Sequence, residues 1–265
     1  MTSPPEPFYR PLDGPDGTRF HATFSTTGPW FADAQHVGPP SALLVRALER
    51  LDARPGTQLG RVTVEVLGPV PPGEVRVDAA VERPGRAVEL LAAQMHAGGR
   101  TVLRARAWQL AGGDTAAVAV GAAEPLAPPA DGVLQAAAPD GWLPGFVDAL
   151  EWRWLAGGLA EPGPATAWLH QRVPLVEGEE PSALQRLVVA ADCANGVGAP
   201  LDLRQWLFVN TELTVHLHRA PVGEWIGVRA DTVVGPTGLG TVSALLHDER
   251  GHCGRSGQAL IVRPR

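Results

Sequence analysis

The sequence predicts an α+β protein made from two copies of one unit, each a helix followed by a curved antiparallel sheet. Three observations lead there. Short segments recur in the same order in both halves of the 265-residue chain. Each half holds one stretch with apolar residues at helical spacing, then a run of stretches that alternate apolar and polar. A segment dominated by Ala, Gly and Pro, residues 111–139, lies between them.

The recurrences share a register. Pro40-Ser41-Ala42-Leu43 returns as Pro181-Ser182-Ala183-Leu184. Leu67, Pro71, Gly73 and Glu74 return as Leu217, Pro221, Gly223 and Glu224 at one constant offset, and Gly99 aligns with Gly251. Self-similarity of this kind marks a repeated structural unit.

In the first half, residues 19–24 and 30–32 read as extended. Residues 41–51 read as a helix, because Leu44, Leu48 and Leu51 lie at helical spacing behind prolines that a first turn tolerates. Val62, Val64 and Val66 alternate with Thr63 and Glu65 as in a strand, and strands are expected over 75–81, 87–95 and 101–110. The second half repeats the plan with strands at 151–155 and 166–173. Its helix spans 182–192, with Leu184, Leu187, Val188 and Ala191 on one stripe and Asn195-Gly196 as a stop. Strands are expected at 206–218, 224–234, 240–246 and 254–262. The expected division is a tail at 1–18, one unit at 19–110, a linker at 111–140 and a second unit at 141–265. A lone unit would leave sheet edges exposed, so the two copies should pack together.

Composition narrows the function classes. Apolar residues make up 45% and charged residues 19% of the chain, ordinary for a soluble globular protein. No apolar stretch approaches the ~20 residues of a membrane span, and no signal peptide is visible at the N-terminus. Cys193 and Cys253 form no C-x-x-C motif or disulfide framework, so a reducing cytoplasm is the expected compartment. The net charge of −6 argues against nucleic acid as a partner. Every basic residue is arginine, which fits either a GC-rich coding bias or contacts to a phosphate-bearing ligand.

Asp192 is the leading catalytic candidate. It stands close to the apolar stripe of the second helix and near its C-terminus, where burial and the helix dipole both disfavour negative charge. A carboxylate held there suits a general base; equally, it could turn outward and help end the helix. Gln258 interrupts the otherwise apolar Ala259-Leu260-Ile261-Val262 strand, and either orients a water or a carbonyl or is a satisfied core amide. Leu213, Val215 and Leu217 share one face of their strand. Asn210 is out of phase with them and needs a bulge to reach a site beside the helix, whereas Thr211 is in phase and points inward without one.

Other features point to structure more than to chemistry. His216 and His218 share a strand face without a third ligand, the pattern of a surface or interface pair. Cys193 reads as a small buried thiol. The segment 254–257 is not a nucleophile elbow, and the glycine-rich 235–240 is a hairpin turn. Six of the eight tryptophans fall in the second half, as core or as an acyl pocket.

Taken together, Ala190-Ala191-Asp192 late in the helix, His218-Arg219, Gly223-Glu224-Trp225, Gly251, Ser256 and Gln258 resemble the C-terminal half of bacterial acyl-CoA thioesterase II, a double hot-dog family. The first half resembles the N-terminal hot-dog, with Val37-Gly38 leading into its helix. The resemblance implies a tandem (double) hot-dog fold. It also implies a water held by an Asp, a Thr- or Ser-like residue and a Gln. Those positions fall on Asp192, on Asn210 with Thr211 beside it, and on Gln258. The implied reaction is thioester hydrolysis of an acyl-CoA, with Asp192 as base and backbone N–H groups near Gly38 supporting the oxyanion. It implies no metal and no cofactor, and a homo-oligomer is expected. A hot-dog hydratase is a second reading, but its signature of Asp, four residues, then His is absent, since Asp33 and His36 are too close together. A non-catalytic acyl-thioester-binding protein is a third.

The register also predicts asymmetry. Arg106 is expected opposite Gln258 in the repeat, and Leu51, with Asp52 beside it, opposite Asp192. One hydrolytic site per chain follows.

Overall fold

The computed structural model describes residues 6–14, 16–51, 54–136, 142–159 and 161–265. Its strands, in chain order, are β1 (Tyr9–Pro11), β2 (Arg19–Ala22), β3 (Thr57–Val66), β4 (Gly73–Arg83), β5 (Val88–Ala97) and β6 (Arg100–Ala111) in the first half. In the second half they are β7 (Val133–Leu134), β8 (Leu150–Ala156), β9 (Ala165–Gln171), β10 (Trp206–Asn210), β11 (Glu212–Leu217), β12 (Trp225–Val234), β13 (Leu239–Asp248) and β14 (Gly251–Pro264). The helices are α1 (Gly38–Leu51), α2 (Pro144–Asp148), α3 (Ala183–Asp192) and α4 (Ala194–Val197).

Alternation of apolar and polar residues sends one face of each strand inward. Val62 and Val64 of β3, and Leu213 and Val215 of β11, are buried. All strands join one antiparallel sheet in the order β1-β2-β4-β5-β6-β3-β11-β14-β13-β12-β9-β8-β7, with β10 also paired to β14. The order β4-β5-β6-β3 is thus mirrored by β12-β13-β14-β11. The halves meet where β3 pairs with β11, with Val62 opposite Val215 and a hydroxyl bond of 3.1 Å from Thr214 to Thr63.

Helices α1 and α3 lie against each other inside this sheet. Prolines occupy the first turn of α1, where the missing N–H groups have no intrahelical partner to lose, and Ala42, Leu43, Leu44, Val45 and Leu48 are buried. Ser182 caps α3, its hydroxyl accepting from the Gln185 N–H at 3.1 Å. Gly38 permits the crossing: a Cβ there would sit 3.1 Å from the Val189 carbonyl oxygen of α3.

Several local expectations are revised. Residues 30–32 form no strand; the chain turns there instead. Asn195-Gly196 is not the stop: α3 ends at Asp192, and the pair lies inside α4, which Gly198 caps. Residues 9–11, expected in a tail, form β1, with Phe8 and Tyr9 fully buried. Phe146 of α2 stacks on Phe8 at 6.1 Å.

The connecting segment is laid across the outer face of the second half. The Ala123 N–H donates to His252 Nδ1 at 3.1 Å, and Trp168 Nε1 donates to the Ala127 carbonyl at 2.7 Å. Gly227 makes room for it, since a Cβ there would meet Leu126 at 2.7 Å. Beneath it, burial and then the neighbouring His252 and Arg229 hold His247 down to about 4.

The turn after β13 is fixed by charge. The Asp248 carboxylate is fully buried and accepts from both terminal nitrogens of Arg219, from the Val222 N–H at 2.9 Å and from the Arg250 N–H at 2.8 Å. His218-Arg219 in the sequence therefore marks a structural clamp.

Candidate active site

The last residue of α3 is the centre of the site. Asp192 is 2% exposed. Its Oδ1 accepts from Asn210 Nδ2 at 2.8 Å, and its Oδ2 lies 3.0 Å from His36 Nδ1. Gln258 Nε2 donates to the Asp192 main-chain carbonyl at 3.2 Å. Its Oε1 is buried and has no hydrogen-bond partner among the described residues. An unpaired buried acceptor carries a desolvation penalty of about 1–3 kcal/mol, so this atom is poised for a donor. The structure thus brings Asp192, Asn210 and Gln258 together.

Asn210 gets there through an irregularity in its strand. Asn210 pairs with Leu260, whereas Thr214 pairs with Gly257, so β10 and β11 carry one residue more than β14 across the break. That extra residue turns Asn210 toward α3. It also reverses the expectation for Thr211. Thr211 is exposed, and both its N–H and its hydroxyl are spent on the Ala259 carbonyl, at 2.9 and 3.2 Å.

Gly38 stands at the mouth of α1, across from Val189. Pro39 and Pro40 have no N–H, and Ser41 donates its own to the Val37 carbonyl at 3.0 Å. The Gly38 N–H is directed at His36 Nδ1, at 3.2 Å.

Two residues of the site were not read as such from the sequence. His36 is 7% exposed, and its ring lies flat on Phe146, 3.8 Å between centroids and 8° from parallel. Asn195 of α4 is buried and its amide donates to the Phe208 carbonyl at 3.4 Å. Pro29, Trp30, Trp142, Phe146, Trp152 and Leu159 wall a narrow cavity of about 20 Å³ that His36, Cys193 and Asn195 also line. Cys193 offers no nucleophile there. Burial, then the Asp192 charge, pushes its thiol well above the ordinary range, and its Sγ donates to the Val189 carbonyl. His216 is exposed and His218 packs on His252 at 4.8 Å. Among the described residues, no group of three His, Cys, Asp or Glu side chains is placed to hold a metal.

The first half has different side chains at the matching places. Ala97 opposes Arg100 at the β5–β6 turn, as Asp248 opposes Gly251 at the β13–β14 turn, and a register shift follows in both hairpins. Counted from those turns, Ala107 matches Gln258, while Arg106 is exposed and paired with Glu82. Aligning Gly99 with Gly251 puts Arg106 there instead, because Gly99 lies inside its turn and Gly251 is the first strand residue after its own. Thr63 pairs with Arg106 as Thr214 pairs with Gly257, which sets Leu59 against Asn210. Leu51 stands ten residues after Ser41, as Asp192 does after Ser182. Asp52 lies outside the described residues.

Comparison with known proteins gives the family and the fold. Residues 26–110 match the acyl-CoA thioesterase N-terminal domain, and residues 128–262 match the acyl-CoA thioesterase C-terminal domain. No curated protein matches the sequence. A hot-dog protein of unknown function from Alicyclobacillus acidocaldarius superposes with a TM-score of 0.75 at 17% identity, covering 94% of this chain and 95% of its own. Acyl-CoA thioesterase II TesB2 from Mycobacterium marinum superposes with a TM-score of 0.63 at 14% identity, covering 94% of this chain and 92% of its own. These likenesses identify a hot-dog fold. With both domain matches spanning most of its length, the chain belongs to the acyl-CoA thioesterase family.

Proposed function

We propose that the protein is a tandem (double) hot-dog acyl-CoA thioesterase that hydrolyses its substrate through a water activated by Asp192. One observation carries the reading. A nearly sealed carboxylate has an amide donor on one oxygen, and the unpaired Gln258 Oε1 stands behind it on β14. Such a site can take a proton from water and hold that water in line. Water oxygen adds to the thioester carbonyl, the C–S bond breaks, and the thiolate receives the proton. Acid and CoA thiol are the products. Asn210 positions the carboxylate, and Gln258 accepts from the water. The two units take in β1 to β6 and β7 to β14, joined by residues 112–132.

Incubation with acyl-CoAs of graded chain length, read with a thiol reagent, tests this. Release of one thiol per ester consumed is expected for at least one chain length. Binding of acyl-CoA by calorimetry with no thiol released from any of them would replace the hydrolase by a binding protein.

The unequal halves give a second expected result. With Leu51, Leu59 and Ala107 where the second half has Asp192, Asn210 and Gln258, only one site is equipped for hydrolysis. Titration with a tight-binding, non-hydrolysable thioester analogue should inhibit completely at one equivalent per chain. Inhibition that needs two equivalents would show a second working site.

A further inference from the structure

We propose that His36 is a second catalytic residue, through which Asp192 acts on the water; this rests on the hydrolase reading above. The first ground is position. Asp192 is 2% exposed, whereas His36, from the other half of the chain, lines the aromatic-walled cavity directly. A cavity of about 20 Å³ has room for a water, and a water held among Trp30, Trp142, Phe146 and Trp152 meets the imidazole.

The second ground is orientation. Phe146 stacks flat on the ring and fixes its plane, and Asp192 Oδ2 at 3.0 Å fixes its direction. Nδ1 has two neighbours with opposite demands, Asp192 Oδ2 and the Gly38 N–H at 3.2 Å. A neutral imidazole carries one N–H, and a charge-assisted bond to a carboxylate is about twice as strong as a neutral one. The relay therefore places the proton on Nδ1, facing Asp192 Oδ2. That leaves Nε2 as an unprotonated acceptor, and it has no hydrogen-bond partner among the described residues.

The chemistry balances. Nε2 takes a proton from water as the water oxygen bonds to the thioester carbon, and Asp192 stabilises the resulting imidazolium. When the C–S bond breaks, the Nε2 proton passes to the thiolate, and His36 returns to neutral. The carboxylate keeps its charge throughout, in keeping with the bond from Asn210 and the close contact with His36.

Two variants test the relay. His36→Asn keeps a donor toward Asp192 but has no base at Nε2; His36→Ala opens space for free imidazole. Circular dichroism would verify folding of both. Each should lose about 100-fold or more in kcat with KM little changed, as expected for a lost acid–base group, and added imidazole should restore part of the kcat of His36→Ala. Wild-type kcat in folded His36→Asn, with Asp192→Asn inactive, would reduce His36 to a structural partner. Full activity in Asp192→Asn would instead overturn the role of Asp192 on which the relay rests, and no thiol release by the wild type would overturn the hydrolase reading beneath it.

Discussion

Asp192→Asn is expected to lower turnover by a factor of about 100 to 10,000, the range for loss of an acid–base group, while the protein stays folded. Asparagine fills the same space. Its Oδ1 can still accept from Asn210, and its Nδ2 can donate to His36 Nδ1 once the ring proton moves to Nε2, so the packing at the end of α3 need not change. What disappears is the negative charge, and with it the site's ability to take or stabilise a proton. The thermal midpoint should hold or rise, since a buried carboxylate has been replaced by a neutral amide. Thiol release from acyl-CoA, measured beside a melting curve, checks both halves of this expectation. Wild-type turnover in a folded variant would exclude Asp192 from the chemistry.

The largest effect on stability is expected far from the site, at Asp248. Its carboxylate serves four N–H donors from Arg219, Val222 and Arg250. Asp248→Ala leaves a part-buried guanidinium and two main-chain donors without their acceptor. Breaking a buried pair in this way costs about 3–5 kcal/mol, or roughly 6–15 °C in a chain of this size. Asp248→Asn should lose less, because one acceptor oxygen remains. The pH dependence follows in sign. Burial pushes the Asp248 carboxyl upward, but Arg219 and the two main-chain N–H groups outweigh burial and hold it below its ordinary value of 3.8. The stabilisation is therefore present above pH 3.8 and is lost as pH falls through the lower folded value. Urea denaturation at a series of acidic pH values should show this loss in the wild type and a smaller one in Asp248→Ala, where Glu179 and other paired carboxylates still titrate.

Much of the fold was readable because the core writes itself into the sequence as periodicity. The Val62-Val64-Val66 alternation and the Leu44-Leu48-Leu51 spacing lie on elements whose inner faces are buried. Turns and interfaces left weaker traces. Trp30–Ala32 has the aromatic content of a strand, yet Trp30 is held edge-on by Phe208 at 4.9 Å and not by a neighbouring strand. Asn195-Gly196 carries a stop signal, but tertiary burial of Asn195 and Val197 carries the helical turn onward. At the site, Asp192 and Gln258 stood out because polar groups in apolar elements need a reason. Asn210 could be placed only on the condition of a bulge, which the pairing of β10 and β11 with β14 provides. His36 had no such signature. Its partners, Asp192 and Phe146, lie in the other half of the chain, and no local pattern records a contact of that kind.

The continuous sheet through β3 and β11 has an evolutionary consequence. Had the halves been separate copies of a single polypeptide, every substitution would have appeared twice, once at each of two equivalent clefts. Covalent joining lifts that constraint. One cleft can then accumulate the costly buried polar groups while its counterpart trades them for packing. Leu59 and Ala107, both buried, now serve cohesion on one side of the junction, whereas Asn210 and Gln258 stand at the matching places on the other. A duplicated gene can specialise its two products by drifting apart; on the proposed reading, the same division of labour is written into a single folded chain.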